Sequence, residues 1–226
     1  MNGFFSTEGK YYKIATEFGY ILILGALWLI ASIPIFTIGA STTAAYYVAT
    51  KRRSGMDEYL LPSFFKSYKD NFVSSLIVFA ILSLFGFLIY ANTFILINES
   101  GGLFFTILSI FMLIIAMQWT FVIIFAFVIL ARFQLSGLQV IKSAFFISNR
   151  HFKTTLLCII IFLLVGSISI LSGVLIPFAM GAYVYFTAGI FVKVFRVHNP
   201  DFDINVSDKD MREMAEASEM NEIKKN

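Results

Sequence analysis

Cys158, His151 and His198 are the chain's only thiol and imidazoles, and their placement builds no reactive set. Cys158 lies in an apolar run and reads as a small packed or lipid-facing residue. One thiol makes neither a disulfide framework nor a cysteine-based metal site. The two histidines are far apart and neither has a second ligand beside it, so no zinc site is expected. His151 follows Arg150 and reads as a solvated interfacial imidazole. No Ser/His/Asp arrangement is suggested. There is no Gly-x-x-x-x-Gly-Lys-Ser/Thr loop, so the chain is not expected to power transport with a nucleotide. The expectation is a protein that is not an enzyme and carries no cofactor or metal.

The remaining polar chemistry is sparse. Asn92 with Thr93 and Gln118 with Trp119 fall inside long apolar runs. An amide beside an aromatic ring suits a sugar-like hydroxyl compound in a transporter. It also suits a hydrogen bond to a neighbouring helix, worth about 0.6 kcal/mol on average in a membrane. The second reading is the simpler one. Glu17 sits at the start of the first run, where an acid suits a helix N-terminus. Lys51-Arg52-Arg53 sits at a helix C-terminus, where cations suit the dipole and anionic lipid headgroups.

The elements that carry these residues are membrane helices. The chain is 58% hydrophobic and 14% charged, against about 25% charged in ordinary soluble domains. Its mean hydropathy is +0.82. Five runs, 18–36, 72–97, 103–130, 154–172 and 174–192, contain no Asp, Glu, Lys, Arg or His. A bilayer core needs roughly 20 apolar residues per helix. The first run is longer than a signal-peptide core and more runs follow, so it reads as a retained helix. The basic residues flank these runs and form no single stripe, which argues against nucleic acid.

The same residues set the expected topology. The connections 98–102 and 172–177 hold no Lys or Arg, so they face outward and the basic segments face the cytoplasm. All the basic residues lie inside only if residues 34–52 form a sixth crossing. At 1.5 Å per residue that stretch just spans the bilayer core. It is polar, but Gly39, Ala40, Thr43 and Ala44 supply small residues four apart, a spacing that lets helices pack closely. The fold class expected is an all-α transmembrane bundle of about six crossings, five long spans plus a short polar one, with both termini cytoplasmic. Amphipathic elbow helices at 60–71 and 138–150 complete it, with Leu61, Phe64, Phe65 and Tyr68 sharing one face, and Leu138, Ile141, Phe145 and Ser148 the other.

A repeat reinforces the sixth crossing. Tyr47-Val48, Phe127-Val128 and Phe191-Val192 each precede an arginine by the same interval, at Arg52, Arg132 and Arg196. Aromatics seven apart, Phe5/Tyr12, Phe65/Phe72 and Phe145/Phe152, precede the outward helices. The units read 5–52, 65–132 and 145–196 within a helical domain 1–199. Residues 200–226 form a separate acidic tail, solvent-facing or a cytoplasmic contact site, in which Ser207 could cap a short helix.

Trp28-Leu-Ile-Ala-Ser-Ile-Pro34-Ile-Phe-Thr37-Ile-Gly39-Ala40, then Ala44-Ala-Tyr-Tyr, then Phe64-Phe-Lys-Ser-Tyr68-Lys-Asp-Asn71-Phe72, resembles the YesL family of bacterial integral membrane proteins. The resemblance covers about residues 20–76. Pro34, Thr37, Gly39, Phe64, Tyr68, Asn71 and Phe72 are the motif positions. It implies a protein of the bacterial cytoplasmic membrane with an accessory role beside a sugar transport complex, and it assigns no catalytic or ligand residues. The alternative from the residues alone is a small oligomeric facilitator for a neutral solute, since buried ionisable groups for proton coupling are missing.

Overall fold

The computed structural model describes residues 10–56, 59–98, 102–133, 135–172 and 176–198. The acidic tail 200–226, Ser207, Glu99 and the aromatic Phe5 lie outside them. Eight α-helices follow in order: α1 Lys10–Ala31, α2 Ile38–Arg53, α3 Leu60–Asp70, α4 Phe72–Asn98, α5 Leu103–Arg132, α6 Gly137–Arg150, α7 Phe152–Ser172 and α8 Ile176–His198. There is no β-strand among the described residues. Five helices are long and apolar enough to cross a membrane, over Ile14–Ala31, Phe72–Leu96, Leu103–Arg132, Phe152–Leu171 and Phe178–Phe195. The chain is a multi-pass membrane protein.

The short polar stretch forms α2, and it is the best-buried helix. From Gly39 to Lys51 only Tyr47 escapes full burial. It packs against α1, α3, α4, α5 and α8. Burying unpaired hydroxyls in an apolar bundle would be costly. Here they turn back on the helix: Ser41 Oγ donates to Thr37 O at 2.9 Å, Thr43 Oγ1 to Gly39 O at 2.9 Å and Thr50 Oγ1 to Tyr46 O at 2.8 Å. These three hydroxyls are satisfied within the helix, which leaves this part of α2 a small, smooth surface.

Both ends of α2 are built by local sequence. Pro34, extended at φ −75°, opens a 3-10 turn over Ile35–Thr37. The Thr37 hydroxyl, buried, donates to Ala31 O at 2.7 Å and Pro34 O at 2.6 Å, tying the last residue of α1 to the turn. At the other end Gly55 takes φ +85°. Its N–H reaches Arg52 O at 3.1 Å and the Met56 N–H reaches Lys51 O at 3.2 Å. That is the paired closure of a glycine-terminated helix.

The two amphipathic helices fold back along the helices before them: α3 packs on α2, and α6 on the end of α5. As a result α4 begins beside the start of α2. A Cβ on Gly39 would stand 2.8 Å from Ser75 O and 3.0 Å from Phe79 Cβ. Likewise the Phe152 ring, opening α7, lies 5.6 Å from the Phe121 ring in the middle of α5. The faces of these helices differ from the expected grouping. Phe64 and Ser67 of α3 are buried while Leu61 and Phe65 are exposed. In α6 the buried face is Gly137, Val140, Ala144 and Ser148, and Leu138, Phe145 and Phe146 point outward. In α6 small side chains meet the protein and the Phe145 and Phe146 rings meet the surroundings, because a helix laid along another needs close approach; in α3 one ring, Phe64, is buried beside the small Ser67.

The helix α5, 30 residues long, extends about 45 Å, more than the roughly 30 Å bilayer core. Its first half, 103–120, holds no buried residue, whereas Phe121, Val122 and every residue from Phe125 to Arg132 are buried. The second half belongs to the packed layer around α2. Gly39→Leu is expected to force α2 from α4 and lower stability in detergent by about 1–3 kcal/mol or more, read as a drop in the thermal midpoint; an unchanged midpoint would show that the two helices do not touch.

Candidate functional site

Where α5 and α8 approach, they meet through rings. Phe125 and Phe191 lie 5.0 Å apart, Phe133 and Phe195 5.5 Å, and Tyr46 of α2 sits 5.9 Å from Phe191. Beyond this stack the helices leave a cavity of about 600 Å³. All six long or central helices line it: Trp28 of α1, Ile38, Thr42 and Tyr46 of α2, Phe79 to Gly86 of α4, Trp119 to Phe127 of α5, Ile159 and Phe162 of α7, Met180 and Tyr183 of α8. No charged residue lines it.

Its polar groups other than Ser83, at the exposed edge, are already engaged. The Trp28 indole N–H donates to Thr42 Oγ1 at 3.0 Å, and Thr42 Oγ1 donates to Ile38 O at 2.7 Å. The Trp119 indole N–H donates to Leu82 O at 3.0 Å. Thr120 Oγ1 donates to Ala116 O at 2.9 Å. The Tyr46 hydroxyl lies 3.2 Å from Thr187 Oγ1 and also bonds Tyr183. Gly86 is required here: a Cβ on it would overlap the Trp119 ring. Both tryptophans of the chain therefore wall the cavity.

A second polar cluster ties α1 and α8 to the end of α2. Arg52 Nη2 pairs with Glu17 Oε1 at 3.0 Å, and the Tyr185 hydroxyl donates to Glu17 Oε2 at 2.7 Å. Arg53 lies over the Tyr185 ring at 5.0 Å and against Gly189, where a Cβ would stand 2.7 Å from its Nε. Lys51 is buried over the Tyr47 ring at 4.5 Å. Lys51, Arg52 and Arg53, expected at lipid headgroups, are held on protein groups. Glu17, expected as a helix-terminal charge, is the acceptor at the centre of the cluster.

The intramembrane amides are not brought together. Asn92 is exposed and its Nδ2 donates to Leu88 O of its own helix at 2.8 Å. Gln118 is half-buried, and its Nε2 has no hydrogen-bond partner. Of the three residues, Trp119 alone lines the cavity. Gly39, Ala40, Thr43 and Ala44 lie in the buried part of α2. The motif positions assemble two turns. Pro34, Thr37 and Gly39 make the α1–α2 turn. Phe64, Tyr68, Asn71 and Phe72 make the α3–α4 bend, where Asn71 Nδ2 donates to Ser67 O at 3.1 Å and the Tyr68 and Phe72 rings lie 5.7 Å apart. Gly39 against Ser75 brings these turns into contact. Sequence reading missed Trp28, Tyr46, Gly86 and Tyr183; an aromatic near a span end reads as a membrane-interface residue.

Two outcomes follow. In a Trp28→Phe background, Gly86→Ala should shift Trp119 emission and lower the thermal midpoint, because the indole must leave its seat on Leu82 O; an unaltered spectrum would place Trp119 elsewhere. In a double-mutant cycle, Glu17→Gln and Arg52→Gln should be non-additive by about 0.5–3 kcal/mol, whereas additive losses of stability would mean that the two groups do not interact.

Residues 21–93 match the model of a family described as "Protein of unknown function, DUF624". That segment runs from α1 into α4 and holds both motif turns. No curated protein and no solved structure matches the chain. Over that third of its length, the chain is similar to an uncharacterised family.

Proposed function

We propose that this is an accessory membrane protein of the bacterial cytoplasmic membrane, of the YesL kind, that works beside a separate carbohydrate-uptake complex by helix-to-helix partnering. The carbohydrate link comes from the resemblance of the Pro34–Gly39 and Phe64–Phe72 elements. The observation that favours an accessory role over translocation is the chemistry of the cavity. A sugar path needs uncommitted donors and acceptors, and the indoles and the Thr42, Tyr46 and Thr120 hydroxyls of this wall are bonded within the bundle. The outward halves of α4 and α5 offer large apolar side chains, Phe85, Phe87, Phe94, Phe104 and Phe111 among them, as surface for a neighbouring helix. The tail 200–226 and the α3 and α6 faces would serve as the cytoplasmic contact surface.

In this reading the chain is three units. Matching burial supports the likeness of the second and third: Phe64 and Ala144, Ser75 and Thr155, and Val78 and Cys158 hold equivalent places in the register set by Arg52 and Arg132, and all six are fully buried.

A second reading, an oligomeric facilitator for a neutral solute, draws on the size of the cavity and its contact with all six helices. Two experiments separate them. Purification in native lipid discs should recover components of a sugar transporter with the protein; recovery of the protein alone would contradict the accessory role. Reconstituted by itself, the protein should pass no neutral solute; flux lost on Tyr46→Phe would establish the second reading instead.

A further inference from the structure

The cavity has a mouth. Ser83, Thr120 and Phe162, which line it from α4, α5 and α7, are exposed. All three lie inside the membrane-spanning stretches Phe72–Leu96, Leu103–Arg132 and Phe152–Leu171. Around them the helices carry exposed apolar side chains, Leu84 and Phe85 on one side and Leu163 and Leu164 on the other. The α4–α5 hairpin and α7 have little contact: α7 packs on α8, and only slightly on α5. The opening therefore faces sideways, at the depth of lipid hydrocarbon, where water and sugars are scarce.

The interior matches what stands at that opening. A cavity of about 600 Å³ is in the range that encloses an organic ligand of moderate size. Apolar cavities stay dry and take up apolar guests. This wall has no charge, and its two indole N–H groups are already satisfied, so an occupant gains nothing from carrying polar atoms inside. In a bilayer the abundant molecule of that chemistry is the hydrocarbon chain of a neighbouring lipid. We propose that the cavity is a lateral binding site for one acyl chain of a membrane phospholipid, which enters between the α4–α5 hairpin and α7 and lies between Trp28 and Trp119. This goes beyond the accessory role and does not depend on it.

Because both tryptophans of the chain wall the site, their emission reports its occupant. The protein is reconstituted into phosphatidylcholine vesicles in which a rising fraction of the lipid carries brominated acyl chains. A bound chain predicts several-fold quenching in fully brominated vesicles that follows the brominated fraction linearly, as exchange of lipid through one site requires. Ser83→Phe, which fills the mouth, should remove this linear part, and Ser83→Ala should keep it. Quenching in the unmodified protein that is already steep at low brominated fraction, as contact with many annular lipids gives, overturns the proposal, whether or not Ser83→Phe folds. So does efficient quenching by aqueous acrylamide, which would mean a water-filled cavity.

Discussion

Backbone contact between α2 and α4 at Gly39 sets how closely every other element can pack. With Ser75 O and Phe79 Cβ at the limit of approach, only a residue without a side chain fits. Around that contact, Ala40, Thr43, Ala44, Ala45 and Ala49 keep α2 thin enough for five neighbours. In a membrane, apolar burial does little to draw helices together, because lipid is as apolar as leucine. Close packing and internally bonded hydroxyls take its place, which is why the least greasy helix is the one inside. The Glu17–Arg52–Tyr185 cluster then fixes how α1 and α8 sit on the far end of α2.

The cavity is a consequence of the same economy of volume. A thin α2 lets α5 and α8 flank it without packing backbone to backbone, and four phenylalanine rings close one end of the gap. Toward Trp119 and Met180 no such rings fill it. Gly86 and Gly39 act in complementary ways: one admits the Trp119 ring to the wall, the other admits a backbone. The site is thus shaped by where side chains are missing as much as by those present.

Much of the scaffold was legible in the sequence. Charge-free runs mark the five long helices, and the small residues at 39–45 mark the tight interface, because both signals are set by composition along one helix. The reach of α3 and α6 was less visible. Amphipathic periodicity groups Leu61 with Phe64, but it does not say whether Phe64 or its neighbour faces protein, and that depends on which helix lies alongside. The fate of Lys51, Arg52 and Arg53 was hidden for a related reason: Glu17 and Tyr185 are distant in sequence, and no local pattern announces their meeting. The cavity gathers residues from six helices scattered along the chain, so of its lining only Trp119 stood out in advance as a polar site, and for its neighbour Gln118 rather than for its seat on Gly86.

The placement of α2 is tested most directly by cross-linking. With Cys158→Ser as background, Gly39→Cys is paired with Phe79→Cys, positions whose Cβ atoms would stand 3.0 Å apart, closer than the roughly 3.5–4.5 Å of a disulfide, so that a small parting of the two helices brings them into bonding range. A protease site in the α2–α3 connection for this pair, and in the α5–α6 connection for the reference pair, makes each link visible as two fragments held together. The structure predicts oxidation to a linked product in lipid vesicles, with Phe121→Cys and Phe152→Cys, whose native rings lie 5.6 Å apart, as the reference pair. If that second pair links and the first does not, α2 is not seated against the start of α4, and the centre of this bundle has been misplaced.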